Sequence, residues 1–459
     1  MTVVPPQLAL SKPSAQRPGF WFACYQLGWH ILLPLVLLRL WWRGRKDSGY
    51  RQSIAERFGF SKGIRPGAIW IHAVSVGETR AAQPLIESYL AQGKWVLLTC
   101  MTPNGRRTGA DLYAKAIAEG RLQQTYLPYD LYWSVECFLK RTQPALGLFM
   151  ETEAWPTIIF RCAELQLPVF LINARLSERS ARRVSRFGTA GRALFQAFAG
   201  ILAQTELDAQ RYRSLGVQHC EVVGNLKFDV AQDPRLIEQG IAWHEYLQSR
   251  KRLMVCAAST REGEEELILQ AWNMVLAQQV YDPRLIKPLL CIVPRHPERF
   301  SAVASAIESH GLSLVRRSAL DSKEWDKDAK LLADIDVVLG DSMGEMPLYY
   351  NASDLVVMGG SLMPLGGQNL IEACAAACPV LLGEHTFNFQ QASIDAVEAG
   401  AALRVKADSA LVPNLANAIQ DLLRDSAQRE RMAQAAIDYA ARHQGATQKI
   451  TAALDRFTA

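Results

Sequence analysis

Short, β-rich apolar runs alternate with helical patterns along nearly the whole chain, and this rhythm constrains the fold more than any other feature. Runs at 68–74, 95–101, 145–150, 169–173, 200–204 and 221–224 form one series. A polar stretch at 229–251 separates it from a second series at 253–257, 289–293, 336–340, 355–358 and 380–382. Such alternation marks parallel strands joined by crossover helices. With 459 residues the chain is too long for one ordinary core. The expectation is an α/β protein with two Rossmann-like domains, 49–230 and 231–459, preceded by a tail and anchor at 1–48. Open parallel sheets bind ligands beyond the carboxyl ends of their strands, so two such domains facing each other would line a central cleft with strand-end loops.

Composition removes several function classes. The net charge of +5 comes with no long basic tail, so nucleic acid is not an expected partner. Neither series opens with GxGxxG, which argues against a dehydrogenase. The nine cysteines are scattered, without CxxC or paired Cys/His spacing, as suits reduced thiols in a cytosolic compartment. One segment departs from a soluble pattern. Residues 20–42 are long and apolar enough to cross a bilayer, with His30 and Arg39 as the ionisable interruptions. Arg39, Arg43, Arg45, Lys46, Arg51 and Arg57 follow, against Lys12 and Arg17 before, which places the rest of the chain on the cytoplasmic side. A spanning anchor is expected; Pro34 and Arg39 make a helix lying in the interface its rival.

The motifs that carry chemistry fall at strand ends. In 355–384 an apolar run ends in Gly359-Gly360, a second glycine pair follows at Gly366-Gly367, and Asn369 is expected to open an alanine-rich helix with Glu372 in its first turn. Bare turns and helix starts suit a nucleotide, although an isolated glycine-bordered turn is also ordinary punctuation. His72-Ala-Val-Ser75-Val-Gly77-Glu78 ends the first run before an expected helix at 79–92. Glu78 there is either a helix cap or a base in a cleft. Glu151 and Glu153 follow the run at 145–150, where they can steady positive charge or bind sugar hydroxyls. Arg175, Arg179, Arg182, Arg183 and Arg186 are spaced for one helical face and suit phosphate, as on an anionic lipid. Lys227, the cluster Pro294-Arg295-His296 and the turn Gly340–Met346 add further polar strand ends. Asp334 and Asp336 have DxD form, a triplet too common to imply a metal.

These motifs occur in one order: HAVSVGE, LTCMTPNG, YLPYD, METEAWP, NARLSERS, GNLKFD, PRHPERF, DSMGEM, GGSLMPLGGQN and HTFNF. From the anchor to near the C-terminus, the chain resembles the bacterial 3-deoxy-D-manno-octulosonic acid (Kdo) transferases of lipopolysaccharide synthesis. The resemblance implies a GT-B glycosyltransferase at the cell inner membrane that moves Kdo from CMP-Kdo to a lipid A precursor, lipid IVA. It implies inversion, no cofactor beyond the donor substrate and no required metal. By resemblance Glu78 is the general base, Glu151 or Glu153 stabilises an oxocarbenium-like state, and Lys227 and Arg295 compensate charge on departing CMP. The CMP site would take in Pro294, Gly344, Glu345, Met346, Asn369, Leu370, Ile371 and Glu372. Gln368 and Leu370 stand where the family commonly has His and Pro.

Overall fold

The computed structural model describes residues 19–45, 47–279, 286–320, 332 and 334–458. Lys12, Arg17 and Lys46, part of the charge asymmetry around the anchor, lie outside them. The chain forms two compact units, 1–230 with 444–459, and 231–443.

The first unit is built on β1 (Ile69–His72), β2 (Val96–Cys100), β3 (Leu122–Tyr126), β4 (Leu146–Met150), β5 (Val169–Ala174), β6 (Gly200–Ala203) and β7 (Cys220–Val222). They pair in the order β3-β2-β1-β4-β5-β6-β7, every pair parallel. Ile69 aligns with both Val96 and Leu146, which fixes the register at the centre. Every residue of β2, β4 and β5 is buried, as expected where helices cover both faces. Trp70 anchors one face, its ring 5.1 Å from Phe138 and 4.9 Å from Phe149.

The second unit repeats the plan with β8 (Met254–Thr260), β9 (Leu289–Pro294), β10 (Leu314–Arg316), β11 (Val337–Leu339), β12 (Leu355–Met358), β13 (Val380–Leu382) and β14 (Ala402–Arg404). The order is β10-β11-β9-β8-β12-β13-β14, again all parallel. In both sheets the strand order reverses beside the first strand, at β1/β4 and at β8/β12. Connections leaving a reversal point diverge and open a crevice at the carboxyl edge.

Three expectations need correction. The helix expected at 79–92 is two helices, Val76–Ala81 and Gln83–Ala91. Pro84 sits in the first turn of the second, where its missing N–H is harmless, and the first begins early because Ser75 caps it. Arg175 lies outside the helix Glu178–Arg186, so the arginine face consists of Arg179, Arg182, Arg183 and Arg186. The domain expected at 231–459 ends early. Residues 444–459 return to the first unit, where Asp229 accepts from the amides of Gly445 and Thr447 at 2.7 and 2.6 Å, and Phe457 meets Phe170 at 5.0 Å.

Among the described residues, Gly19–Arg43 is the helix long and apolar enough to cross a membrane. One stripe, Phe22, Gln26, Trp29, Leu33, Val36 and Leu40, packs on the first unit. The spacing of three and four residues is that of one helical face. Trp21, Leu27, Ile31, Leu35, Leu38 and Trp42 stay exposed.

Candidate active site

At the end of β1, Ser75 caps the helix Val76–Ala81 and the Glu78 carboxylate folds back over the turn. Its Oε2 accepts from the Val74 amide at 2.8 Å and its Oε1 from the Ser75 hydroxyl at 3.0 Å. The capping reading of Glu78 therefore holds, yet capping does not exhaust its surroundings. Burial pushes the carboxyl above its ordinary value; the two hydrogen bonds pull against that, and the charges of Glu153 and Glu151 add to the rise. Three carboxylates thus converge where β1 and β4 diverge.

Their partners differ. Glu151 follows β4 in a left-handed conformation, φ 55°, and its side chain is only 10% exposed. For a residue with a β-carbon, such backbone costs about 1–3 kcal/mol and tends to mark a functional turn. Lys227 Nζ lies 2.7 Å from Glu151 Oε1 and Arg175 Nε 3.4 Å from Oε2, so two cations neutralise this carboxylate. Glu153 has a neutral anchor instead. Its Oε2 accepts from the Trp155 indole at 2.8 Å and lies 3.8 Å from Nε2 of buried His72. That nitrogen has no hydrogen-bond partner, while the ring's Nδ1 faces the Thr99 carbonyl at 3.2 Å.

An amide network that no sequence spacing announced holds Lys227 in place. Asn173, at φ 49°, accepts from the Leu226 amide at 3.0 Å, and Gln204 donates to the Asn173 carbonyl at 2.8 Å. Asn225 donates to Gln204 at 3.1 Å and accepts from the Lys227 amide at 3.0 Å. Gln204 escapes sequence reasoning because a lone glutamine after a strand carries no chemical signature.

In the second unit the order β11-β9-β8-β12 lines up the turns expected to meet a nucleotide. Pro294 ends β9, the Arg295 amide donates to the Thr260 carbonyl at 2.9 Å, and the Arg295 side chain stays exposed. Gly344 sits at φ 84° facing open space. Glu345 is held by Arg317 at 3.0 Å and by the Ser342 hydroxyl, so its backbone rather than its carboxylate is available, and Met346 opens the following helix. The helix expected from Asn369 is short, Ile371–Ala375, and the Asn369 side chain lies just before it, accepting from the Ile371 amide at 3.1 Å. Asn369 also donates to Glu372 at 2.8 Å. Burial raises the Glu372 carboxyl, with Asn369 and Arg295 pulling it back. Leu370 and Ile371 bury their side chains in the core and offer only backbone groups.

Glu264, which reads in sequence as an ordinary helix-start acid, is fully buried and braces this edge. Its carboxylate accepts from the amides of Gly360 at 2.6 Å, Leu362 at 3.0 Å and Arg261 at 2.9 Å. Asp336 is likewise structural, bonded to Ser313 and paired with Lys287. Among the described residues no group of three or more His, Cys, Asp or Glu is arranged to hold a metal ion.

Two units, each a parallel α/β sheet with polar turns at its reversal point, have the architecture of the GT-B class. Two family models match: 3-deoxy-D-manno-octulosonic-acid transferase (kdotransferase) over residues 52–230, and glycosyl transferases group 1 over residues 320–439. The 3-deoxy-D-manno-octulosonic acid transferase of Bordetella pertussis is 41% identical over 442 residues, covering 94% of this chain and 98% of that one. The protein of the same name from Haemophilus influenzae is 34% identical, covering 92% and 95%. The chain belongs to the 3-deoxy-D-manno-octulosonic acid transferase family and is an enzyme of that activity. Among solved structures, the UDP-GlcNAc 2-epimerase from Neisseria meningitidis bound to UDP-GlcNAc superposes with a TM-score of 0.54 at 14% identity, covering 84% of this chain and 99% of that one. That likeness is one of fold alone.

A β-carbon on Gly359 would meet the Ser259 carbonyl oxygen at 2.4 Å, so the turn after β12 passes against β8 only because this residue is glycine. Gly359→Ala should lower stability by about 1–3 kcal/mol through overpacking. A denaturant-unfolding midpoint unchanged from wild type would contradict the close approach.

Proposed function

We propose that the protein transfers Kdo from CMP-Kdo to lipid IVA with inversion, using Glu78 as general base. The observation that carries this reading is the convergence of Glu78, Glu151 and Glu153 at the β1/β4 reversal, where burial and like charge raise the affinity of Glu78 for a proton. A carboxylate so tuned takes a proton from a sugar hydroxyl more readily than a free glutamate does. As the acceptor oxygen attacks the anomeric carbon, its proton passes to Glu78 and the bond from that carbon to the CMP phosphate oxygen breaks. The carbon gains positive charge on the way. Glu153, anchored by a neutral donor rather than by a Lys or Arg, is the carboxylate that stabilises it, whereas Glu151 is already matched by Lys227 and Arg175. Lys227 is thereby drawn first to Glu151, and Arg295, whose side chain is exposed, is the cation assigned to the departing CMP. Backbone groups of Pro294, Gly344, Met346, Leu370 and Ile371, with Asn369 and Glu372, hold the nucleotide in the second unit. No metal takes part in this scheme.

The same reading puts the enzyme on the cytoplasmic face of the inner membrane. The docked stripe of Gly19–Arg43 favours a helix lying in the interface over a spanning one, because Gln26 donates to Thr157 at 2.6 Å and to the Asp130 carbonyl at 3.1 Å. A helix so bonded to a water-soluble unit leaves its other face for acyl chains. The arginine helix adjoins it: Phe187, which ends that helix, contacts Trp21 with ring centroids 6.4 Å apart. The exposed guanidinium groups therefore stand at the level of phosphates on a membrane-borne acceptor.

Glu78→Gln keeps an oxygen for the Val74 amide while removing the base. It should leave folding and CMP binding near wild type and lower kcat about 10²–10⁴-fold, the range of a lost general base, with product followed by mass spectrometry. Turnover within tenfold of wild type would remove Glu78 from this role. Changing Arg179, Arg183 and Arg186 together to alanine should weaken acceptor affinity several-fold at low salt, with the difference shrinking as salt is added. Equal acceptor KM at low salt would contradict a phosphate-facing surface.

A further inference from the structure

We propose that the N-terminal helix is part of the catalytic scaffold, with Trp29 and Trp155 acting as positioning residues for Glu153. The inference rests on the role given to Glu153 above and extends it to the helix that meets the membrane.

The chain of contacts is continuous. Asp130 is fully buried, and its carboxylate caps the helix Pro156–Glu164 by accepting from the amides of Thr157 at 2.8 Å and Ile158 at 3.0 Å. The same carboxylate accepts from the Tyr25 hydroxyl at 2.8 Å. Gln26, one residue on, donates to Thr157 Oγ1 and accepts from the Tyr132 amide at 2.9 Å. One buried knot thus seats the membrane helix and the start of the helix that Trp155 precedes. One turn beyond Gln26, Trp29 lays its ring against Trp155, centroids 6.4 Å apart, and packs on Tyr129 at 6.0 Å. Trp155 in turn holds the Glu153 oxygen that faces His72.

Surface attachment alone requires none of this. A helix that only tethers the enzyme needs an apolar face toward lipid, whereas here two polar side chains and a tilted indole contact face the protein side. A neutral donor such as an indole N–H fixes a carboxylate without cancelling its charge. The indole therefore holds the Glu153 oxygen in place without supplying a positive charge. Removing the donor frees the carboxylate to swing; removing Trp29 loosens the ring that carries the donor.

The test uses the full-length protein in detergent, with CMP-Kdo and lipid IVA as substrates, so that membrane attachment does not limit the rate. Trp155→Phe should lower kcat about tenfold while the KM of each substrate stays within twofold. Trp29→Ala should lower kcat in the wild-type background but by less than twofold in Trp155→Phe, because both act through one contact. Hydrogen exchange of peptides covering 150–158 should quicken in Trp29→Ala, while the second unit stays unchanged. Glu153→Gln separates the two ideas. A slow Glu153→Gln enzyme beside a Trp155→Phe enzyme at full rate overturns the positioning role alone. So does a Trp29→Ala effect that is equal in both backgrounds, or unchanged exchange at 150–158. A Glu153→Gln enzyme at wild-type kcat removes Glu153 from the chemistry and overturns the reading on which this inference rests.

Discussion

The proposed site depends on one topological constraint, the reversal of strand order beside β1. The connection from β1 leads to β2 on one side, and the chain then crosses back to place β4 on the other. Connections leaving a reversal point run in opposite directions and leave the strand ends uncovered. Polar residues there need not be buried among apolar neighbours, and side chains from both strands reach the same space. The second unit applies the same rule at β8 and β12, where the strand end of β12 carries glycine turns rather than a group of acids.

Bringing three carboxylates together costs energy, and the fold meets that cost with three different partners. Glu151 receives two cations, Glu153 an indole N–H, and Glu78 a backbone amide and a hydroxyl. Cations match a carboxylate's charge, neutral donors position it without doing so, and burial beside like charges raises the affinity of Glu78 for a proton. A division of labour among identical side chains follows from partners alone. The left-handed backbone of Glu151, Asn173 and Ser259 belongs to the same design, since each lies at or beside a strand end that abuts a reversal point. The register of β5 on β6 and of β8 on β9 shifts at two of them, Asn173 and Ser259, as a bulge would produce.

The interior of this architecture was legible in the sequence because buried parallel strands are continuous apolar runs, and eleven expected runs coincide with strands. The strands that escaped, β3, β10 and β14, are all edges. Leu122–Tyr126 carries two glutamines, and Leu314–Arg316 and Ala402–Arg404 each end in arginine, because an edge strand is only partly covered and selection for apolarity weakens there. Glu78, Glu151 and Glu153 stood out as acids at strand ends. What could not be read was their pairing. Arg175 is spaced as part of a helical stripe, but it precedes the helix Glu178–Arg186 and turns to Glu151, and Glu264, at the start of the helix Glu264–Gln279, is the buried brace of the glycine turn. Such roles depend on contacts between segments far apart in sequence, Arg175 with Glu151 and Glu264 with Gly360, which no local pattern encodes.

The most direct measurement is a carboxyl-carbon NMR titration of glutamate-labelled protein, with the Glu78 resonance identified by its absence from Glu78→Gln. Glu78 should titrate above the ordinary glutamate value of 4.5 and move downward when Glu153 is changed to Gln, since one neighbouring negative charge is gone. A Glu78 that titrates at or below 4.5 and ignores the loss of Glu153 would contradict the account.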